Sequence, residues 1–196
     1  MKIFILRHED RSQDCSFFSP LTEQGLNNAK KLKKYLLLCN INIIFSSPFI
    51  RTLQTIKPYI DTQKSIVNIE YGLSEIHHED IIAKKSVGLT LPIYLAKYYN
   101  YNCNYNSIIK SYQIKYPEIY EDVVKRIKIV LQRIIKKYGN TNNNILLVTH
   151  QSLCSAILEI INKNTNLQLD THTIMNYPLG KLTLVFDNYW CYKLIN

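Results

Sequence analysis

The chain begins with a short apolar run, Ile3-Phe4-Ile5-Leu6, that stops abruptly at Arg7-His8-Glu9. A run of this length bounded by charge predicts a buried strand. Residues 9–19 follow as a polar loop with little periodicity. Pro20-Leu21-Thr22 then opens a helix for which Thr22 suits the N-cap. Leu26, Ala29, Leu32 or Lys33, and Leu36 give its apolar face, with lysines outside, and Gly25 weakens it slightly. Ile43-Ile44-Phe45 reads as a second buried strand, ending at Ser46-Ser47-Pro48. A helix follows over roughly 49–60, with Arg51 in its first turn. Ile66 to Glu70 predicts a third strand, leading into Gly72-Leu73-Ser74-Glu75.

Residues 76–116 show no clear period and read as a helical or lid-like insertion, with a Tyr/Asn-rich stretch from Tyr98 to Tyr105. That stretch suits either a substrate lid or an exposed loop. From about Pro117 to Tyr138 runs the clearest helix, with Val123, Ile127, Val130, Leu131, Ile134 and Tyr138 on one face and Lys and Arg opposite. Gly139-Asn140 ends it. Ile145 to Thr149 is a fourth strand that stops at His150, and a helix over 151–163 follows. Lys181 to Phe186 and Tyr189 to Ile195 form a closing hairpin around Asp187-Asn188. Alternating strands and helices predict an α/β fold. The expected architecture is a three-layer α/β/α sandwich with a mostly parallel central sheet and antiparallel edge strands from the hairpin. At 196 residues the chain reads as one domain over 1–196, with the insertion near 76–116.

Composition changes this picture little. No apolar run reaches membrane-spanning length, and the N-terminus reads as a strand rather than a signal peptide. A soluble, intracellular, cytoplasmic protein is expected. Five scattered cysteines (Cys15, Cys39, Cys103, Cys154, Cys191) without CxxC spacing argue against a disulfide framework and a zinc site, and for reduced thiols. The formal net charge of +9 invites a nucleic-acid reading. However, Ile, Asn, Lys and Tyr make up roughly two-fifths of the chain, and all four have A/T-rich codons, so a biased genome accounts for the lysines. No recognisable nucleic-acid reader motif is present, and a moderate basic excess also suits a phosphorylated substrate.

Candidate chemistry appears when the ionisable residues are placed on the frame. Arg7 and His8 follow the first strand, Ser46, Ser47 and Arg51 the second, Glu75 the third and His150 the fourth. Parallel strands bring all of them to one sheet edge, where open α/β sheets bind ligands. Phosphoryl transfer calls for such a set. Arginines neutralise the equatorial oxygens, a helix N-terminus after Pro48 adds N–H donors, an imidazole attacks phosphorus, and a carboxylic acid protonates the leaving oxygen. No metal cluster is needed. The bland alternatives are core histidines at His8 and His150, a solvated Arg51 and a surface carboxylate at Glu75. His77-His78 could suggest a metal, but adjacent residues point apart in regular structure, so surface or rim histidines are expected.

The sequence resembles the histidine phosphatase superfamily, also called phosphoglycerate mutase-like. The resemblance rests on Leu6-Arg7-His8-Glu9, on Ser19-Pro20-Leu21-Thr22-Glu23-Gln24-Gly25, and on Phe45-Ser46-Ser47-Pro48 through Arg51, Gln54 and Thr55. It continues in Leu73-Ser74-Glu75-Ile76, in Glu118, Asp122 and Arg126, in Leu147-Val148-Thr149-His150 and in Asn176. It implies that His8 is the phosphorylated nucleophile. Arg7, Arg51 and His150, with Ser47, would hold the phosphate, and Glu75 would be the general acid and then the base. Glu118, Asp122 and Arg126 would fix the start of the long helix. The implied activity is a metal-independent phosphohydrolase acting on phosphomonoesters through a phosphohistidine, with no cofactor. The expected partner is a small phosphorylated substrate or a phosphoprotein, with neither nucleic acid nor membrane.

Several positions depart from the family pattern. Glu9 and Gln151 stand where glycine commonly follows each histidine, and Ile119 stands where serine is usual. Glu9 is expected to point away from the phosphate or to pair, for example with Arg11. Ile76-His77-His78-Glu79-Asp80 replaces a Phe-Gly-x-Trp-Glu-Gly stretch, which makes Glu79 a spare candidate for the acid. The long insertions of glycolytic mutases are missing, which disfavours a phosphoglycerate mutase. A catalytically silent phospho-ligand binding module is the third reading.

Overall fold

The computed structural model describes residues 1–14 and 16–196. Its centre is a six-stranded sheet in the order β3-β2-β4-β1-β5-β6. The strands are β1 (Lys2–Arg7), β2 (Ile43–Ser46), β3 (Val67–Ile69), β4 (Asn144–Thr149), β5 (Leu182–Asp187) and β6 (Trp190–Leu194). The helices are α1 (Glu23–Leu38), α2 (Ile50–Gln63), the single turn α3 (Ala96–Tyr99), α4 (Tyr120–Tyr138), α5 (Gln151–Asn164) and the short α6 (Thr171–Met175). Strands β1 to β4 run parallel, and β5 and β6 add antiparallel partners beyond β1.

The parallel strands are apolar on both faces because helices cover both. Successive side chains alternate between two cores, as a pleated strand requires. Ile3, Ile5, Ile145, Leu147 and Phe45 pack with Val123, Ile127 and Ile134 of α4 and Leu153 and Ile157 of α5. Phe4, Leu6, Leu146, Val148 and Ile44 pack with Leu32 and Leu36 of α1 and Leu53, Ile56 and Ile60 of α2. This is the α/β/α sandwich expected from the sequence.

Element ends differ from the sequence reading for local reasons. Helix α4 begins at Tyr120 rather than near Pro117, because Ile119 is extended and Glu118 N–H is bound to His77 O (2.8 Å). Ile119 gives α4 no side-chain cap, in keeping with the loss of the usual serine. Helix α2 runs through Pro58 to Gln63 and stops at Lys64, whose φ of 54° is left-handed. Gly25 does more than weaken α1. A Cβ there would fall 2.1 Å from Asp10 O, so glycine lets α1 dock on the loop that follows His8. Thr22 caps α1 as expected, accepting from Gly25 N–H (3.1 Å), and its hydroxyl donates to Asp10 (2.7 Å).

The 76–116 segment holds 3-10 turns at Lys84–Ser86, Ile93–Leu95 and Ser111–Gln113 besides α3. Its Tyr98 to Tyr105 part does not cover the site. It lies along β3, with Val67 N–H bonded to Asn100 O (3.0 Å) and Asn102 N–H to Val67 O (2.8 Å). An edge strand is thereby closed against further pairing. Glu70, fully buried after β3, anchors the same segment. Its Oε1 accepts from Gly72 N, Ser107 Oγ and Ile109 N, and its Oε2 from Tyr105 Oη and Ile108 N, at 2.7–3.1 Å.

Cys39, Cys103, Cys154 and Cys191 are free thiols, while Cys15 lies outside the described residues. Among the described residues no helix is long and apolar enough to cross a membrane.

Glu70 offers a direct test of how the segment is held. Glu70→Gln turns an amide N–H₂ toward N–H and O–H donors and should cost about 2–4 kcal/mol in urea unfolding. Limited proteolysis should then cut first near 102–110. Unchanged stability would show that these five bonds do not hold the segment.

Candidate active site

Three neighbouring strands deliver the central residues. Strand β4 lies between β1 and β2, and the register pairs Arg7 with Thr149 and Ser46 with Val148. The backbone continues this pairing one residue further, with His8 N–H bonded to Thr149 O (3.0 Å) and Ser47 N–H to Val148 O (2.9 Å). His8, Ser47 and His150 therefore emerge side by side. The His8 and His150 rings meet edge to face with centroids 5.1 Å apart.

His8 is 4% exposed. Its Nδ1 lies 2.7 Å from Glu9 O, and since a carbonyl only accepts, Nδ1 carries the proton. Nε2 is left with its lone pair. Burial, reinforced by the Arg51 charge, pushes the His8 pKa well below the usual 6.5. A neutral imidazole with a free Nε2 is the form that can attack phosphorus.

Cations surround this ring. Arg51 is 1% exposed, stacks on Phe49 (4.4 Å from guanidinium carbon to ring centroid) and donates to Ser16 O (3.3 Å). Burial lowers its pKa to about 10, so it stays charged at neutral pH. Arg7 Nη1 donates to Tyr177 O. Helix α2 explains the Arg-x-x-Gln-Thr spacing, since residues three and four apart share a helix face. Arg51 lies buried against Phe49, Gln54 Oε1 accepts from Leu21 N–H (2.7 Å), and Thr55 Oγ1 accepts from Glu9 N–H (3.0 Å).

Ser47 has a different role from the phosphate contact expected of it. Its hydroxyl is fully buried and lies 2.8 Å from His150 Nε2, while Phe49 N–H donates to it (3.4 Å). When the hydroxyl proton goes to Nε2, His150 carries its own proton on Nδ1. Ser47 orients His150 and does not reach the cleft. Burial and the Arg51 charge keep His150 neutral. Among the described residues, five buried side-chain polar atoms lack a hydrogen-bond partner, and three of them are Arg7 Nε, Arg51 Nε and His150 Nδ1. Buried polar atoms are rarely left unpaired.

Glu75 joins the same group. Its Oε2 lies 3.4 Å from His150 Nδ1 and 3.9 Å from Arg51 Nη2, and its Oε1 accepts from Ser152 Oγ (2.6 Å). Glu118 and Arg126 hold the loop that carries it, rather than merely the start of α4. Arg126 grips Glu118 in a buried fork (2.9 and 2.8 Å) and donates to Gly72 O and Ser74 O (2.9 Å each). Thr149 Oγ1 donates to Leu73 O (2.7 Å). Asp122 instead pairs with Lys115 at the surface (2.8 Å). Glu79, the spare candidate, is exposed and does not line the cleft. His78 pairs with Asp80 (3.2 Å), and His77 is buried beside Arg126, which together with burial lowers its pKa to about 4.

His8, Glu75 and His150 each place one donor atom within 4.8 Å of the others, a spacing compatible with a metal ion. The Arg51 and Arg7 charges that act on His8 favour an anion instead.

The site opens into a cleft of about 510 Å³ whose lining includes Arg7, His8 and Glu75. The histidine phosphatase superfamily (branch 1) model matches residues 17–189. The chain belongs to that superfamily. The matched span starts after Arg7-His8, so the geometry carries the case for those two residues. Similar solved structures include the ecdysone phosphate phosphatase of Bombix mori, with TM-score 0.73 and 16% identity over 98% of this chain and 91% of that one. Another is a mycobacterial glucosyl-3-phosphoglycerate phosphatase, with TM-score 0.66 and 15% identity over 100% and 98%. A third is an Escherichia coli protein described as an alpha-ribazole-5'-P phosphatase, with TM-score 0.63 and 18% identity over 100% and 96%. At these identities the likeness is one of fold. No curated protein sequence matches the chain.

Glu9 points away from the pocket and does not pair with Arg11, whose Nη1 donates to Ser12 O and Asp14 O. The buried Glu9 carboxylate receives one long bond from Asn28 (3.4 Å) and lies against Gly180, where a Cβ would fall 1.8 Å from its Oε1. Burial raises its pKa above 4.5. An acid raised in the folded state contributes stability that is present below pH 4.5 and lost as pH rises through the folded value. Glu9→Gln should therefore unfold at a higher temperature than wild type at pH 7, with the gap closing as pH falls below 4.5. A gap independent of pH would show that the carboxylate charge is not the cause.

Proposed function

We propose that the protein is a metal-independent phosphohydrolase that cleaves small phosphomonoesters through a phosphohistidine on His8. The carrying observation is the convergence of unpaired donors on Arg7, Arg51 and His150 around a neutral His8 with a free Nε2. Phosphoryl oxygens would satisfy all three donors. The phosphatase names of its structural neighbours support the same reading. A cleft of this size suits a small-molecule ester.

In the first half-reaction His8 Nε2 attacks phosphorus as the ester P–O bond breaks. Arg7, Arg51 and His150 Nδ1–H hold the equatorial oxygens, where charge develops in the transition state. Glu75 in its acid form gives its proton to the leaving oxygen, releasing the alcohol. In the second half the Glu75 carboxylate takes a proton from water, whose oxygen attacks phosphorus. The P–N bond breaks and inorganic phosphate leaves, with His8 neutral and Glu75 protonated again.

His8→Ala should abolish turnover, and wild type mixed with a phosphorylated donor should carry an acid-labile, base-stable phosphoryl label on His8. Turnover that survives His8→Ala would overturn the nucleophile assignment. On 3-phosphoglycerate, phosphate release should exceed isomerisation, whereas the reverse would make the protein a mutase.

Glu75→Gln should lower kcat by about 10²–10⁴-fold for alkyl esters, the usual range for a lost general acid. In the first turnover, before water attacks, the loss in the rate of alcohol release should be much smaller for 4-nitrophenyl phosphate, whose leaving group needs no proton. An equal loss on both substrates would assign Glu75 a merely structural part.

A further inference from the structure

Beyond the phosphate-binding floor, the cleft walls bear on the alcohol half of the substrate. Ile76, Ile81, Tyr120, Met175 and Leu179 line them. Met175 is 53% exposed and Leu179 40%, so these apolar side chains face open space. Apolar side chains converging on one cleft mark a surface that takes an apolar ligand. Two backbone ties hold this wall in place. Gln151 Nε2 donates to Met175 O (2.7 Å), and Gly180 N–H, next to Leu179, reaches Arg7 O and His8 O (3.2 and 3.3 Å).

The polar groups of the cleft point the same way. The chain carries 24 lysines and arginines, yet among the described residues no lysine lines the cleft, and Arg11 is its one cation besides Arg7. Arg11 Nη1 is turned to backbone carbonyls, and the Asp10 carboxylate lines the same cleft. A second anionic group on the substrate would therefore meet the Asp10 carboxylate beside the Arg11 guanidinium, and no lysine. Two of the hydrogen-bonding side chains beside the floor are already engaged by the protein. Ser152 is bound to Glu75 and Gln151 to Met175 O, so sugar hydroxyls would have to displace existing bonds.

We infer that the enzyme selects monoesters whose alcohol is uncharged and largely apolar, over sugar phosphates and phosphorylated carboxylic acids. The inference rests on the phosphohydrolase reading above. The test compares alkyl esters, so that leaving groups are of one kind: 2-phenylethyl phosphate, glycerol 3-phosphate and 3-phosphoglycerate. Wild type should show at least a ten-fold higher kcat/KM on 2-phenylethyl phosphate than on either of the others, mainly through KM. Met175→Gln and Leu179→Asn, both at exposed side chains, should reduce that preference several-fold. Equal or higher kcat/KM on glycerol 3-phosphate or 3-phosphoglycerate would overturn the inference, as would a preference unchanged in both variants. Phosphoramidate, a donor with no alcohol, separates the two levels. Labelling of His8 by phosphoramidate together with a reversed preference removes only the selectivity. No label and no cleavage of any ester removes the phosphohydrolase reading and the selectivity with it.

Discussion

Confining two guanidinium groups around a neutral imidazole is the constraint on which the rest of this structure depends. Arg51 is buried almost completely and Arg7 partly, and neither is matched by an adjacent, tightly bound carboxylate. Uncompensated buried charge is expensive, and it acts on every titratable neighbour. Burial, reinforced by this charge, holds His8 and His150 in their neutral forms. The charge also draws Glu75, whose Oε2 stands 3.4 Å from His150 and 3.9 Å from Arg51. The ground state is thus short of negative charge where a phosphoryl group would supply it. Stabilisation of this kind is aimed in advance at the charge a transition state develops.

A pocket that draws in its own acid needs that acid held on a rigid support. The fork between Arg126 and Glu118 supplies it, with Arg126 also bound to Gly72 O and Ser74 O on the near side of Glu75. Two other buried acids show how differently the fold treats carboxylates. Glu70 is satisfied by five neutral donors and fastens the 102–110 segment to the end of β3. Glu9 has one long bond from Asn28, and its carboxyl shifts toward the protonated form.

Much of this was legible in the sequence because it depends on local period and on strand ends. The runs at Ile3–Leu6 and Ile145–Thr149 showed buried parallel strands, and a parallel sheet brings Arg7, His8 and His150 to one edge. What could not be read depends on contacts between distant segments. Ser47 was assigned to phosphate from its position, whereas its hydroxyl lies behind His150, 103 residues away. The role of Arg126 depends on two carbonyls more than 50 residues distant. Gly25 looked like a weak helix position because only the docked loop shows Asp10 O in the space of its Cβ. The 76–116 segment has no period because its order comes from Glu70 and the β3 edge rather than from its own helices.

The two departures that follow the histidines turn out to belong together. Glu9 sends its carboxylate away from the cleft into the space that Gly180 leaves by lacking a Cβ, and Gly180 adjoins Leu179. Gln151 reaches across to the carbonyl of Met175. Each replacement lies one residue after a pocket histidine, and each ends at a residue of the apolar wall or next to it. The imidazoles have anchors of their own, the backbone pairing of His8 N–H with Thr149 O and the Ser47 hydroxyl on His150. The same short stretches that carry His8 and His150 therefore reach, through their next residues, the apolar side of the cleft.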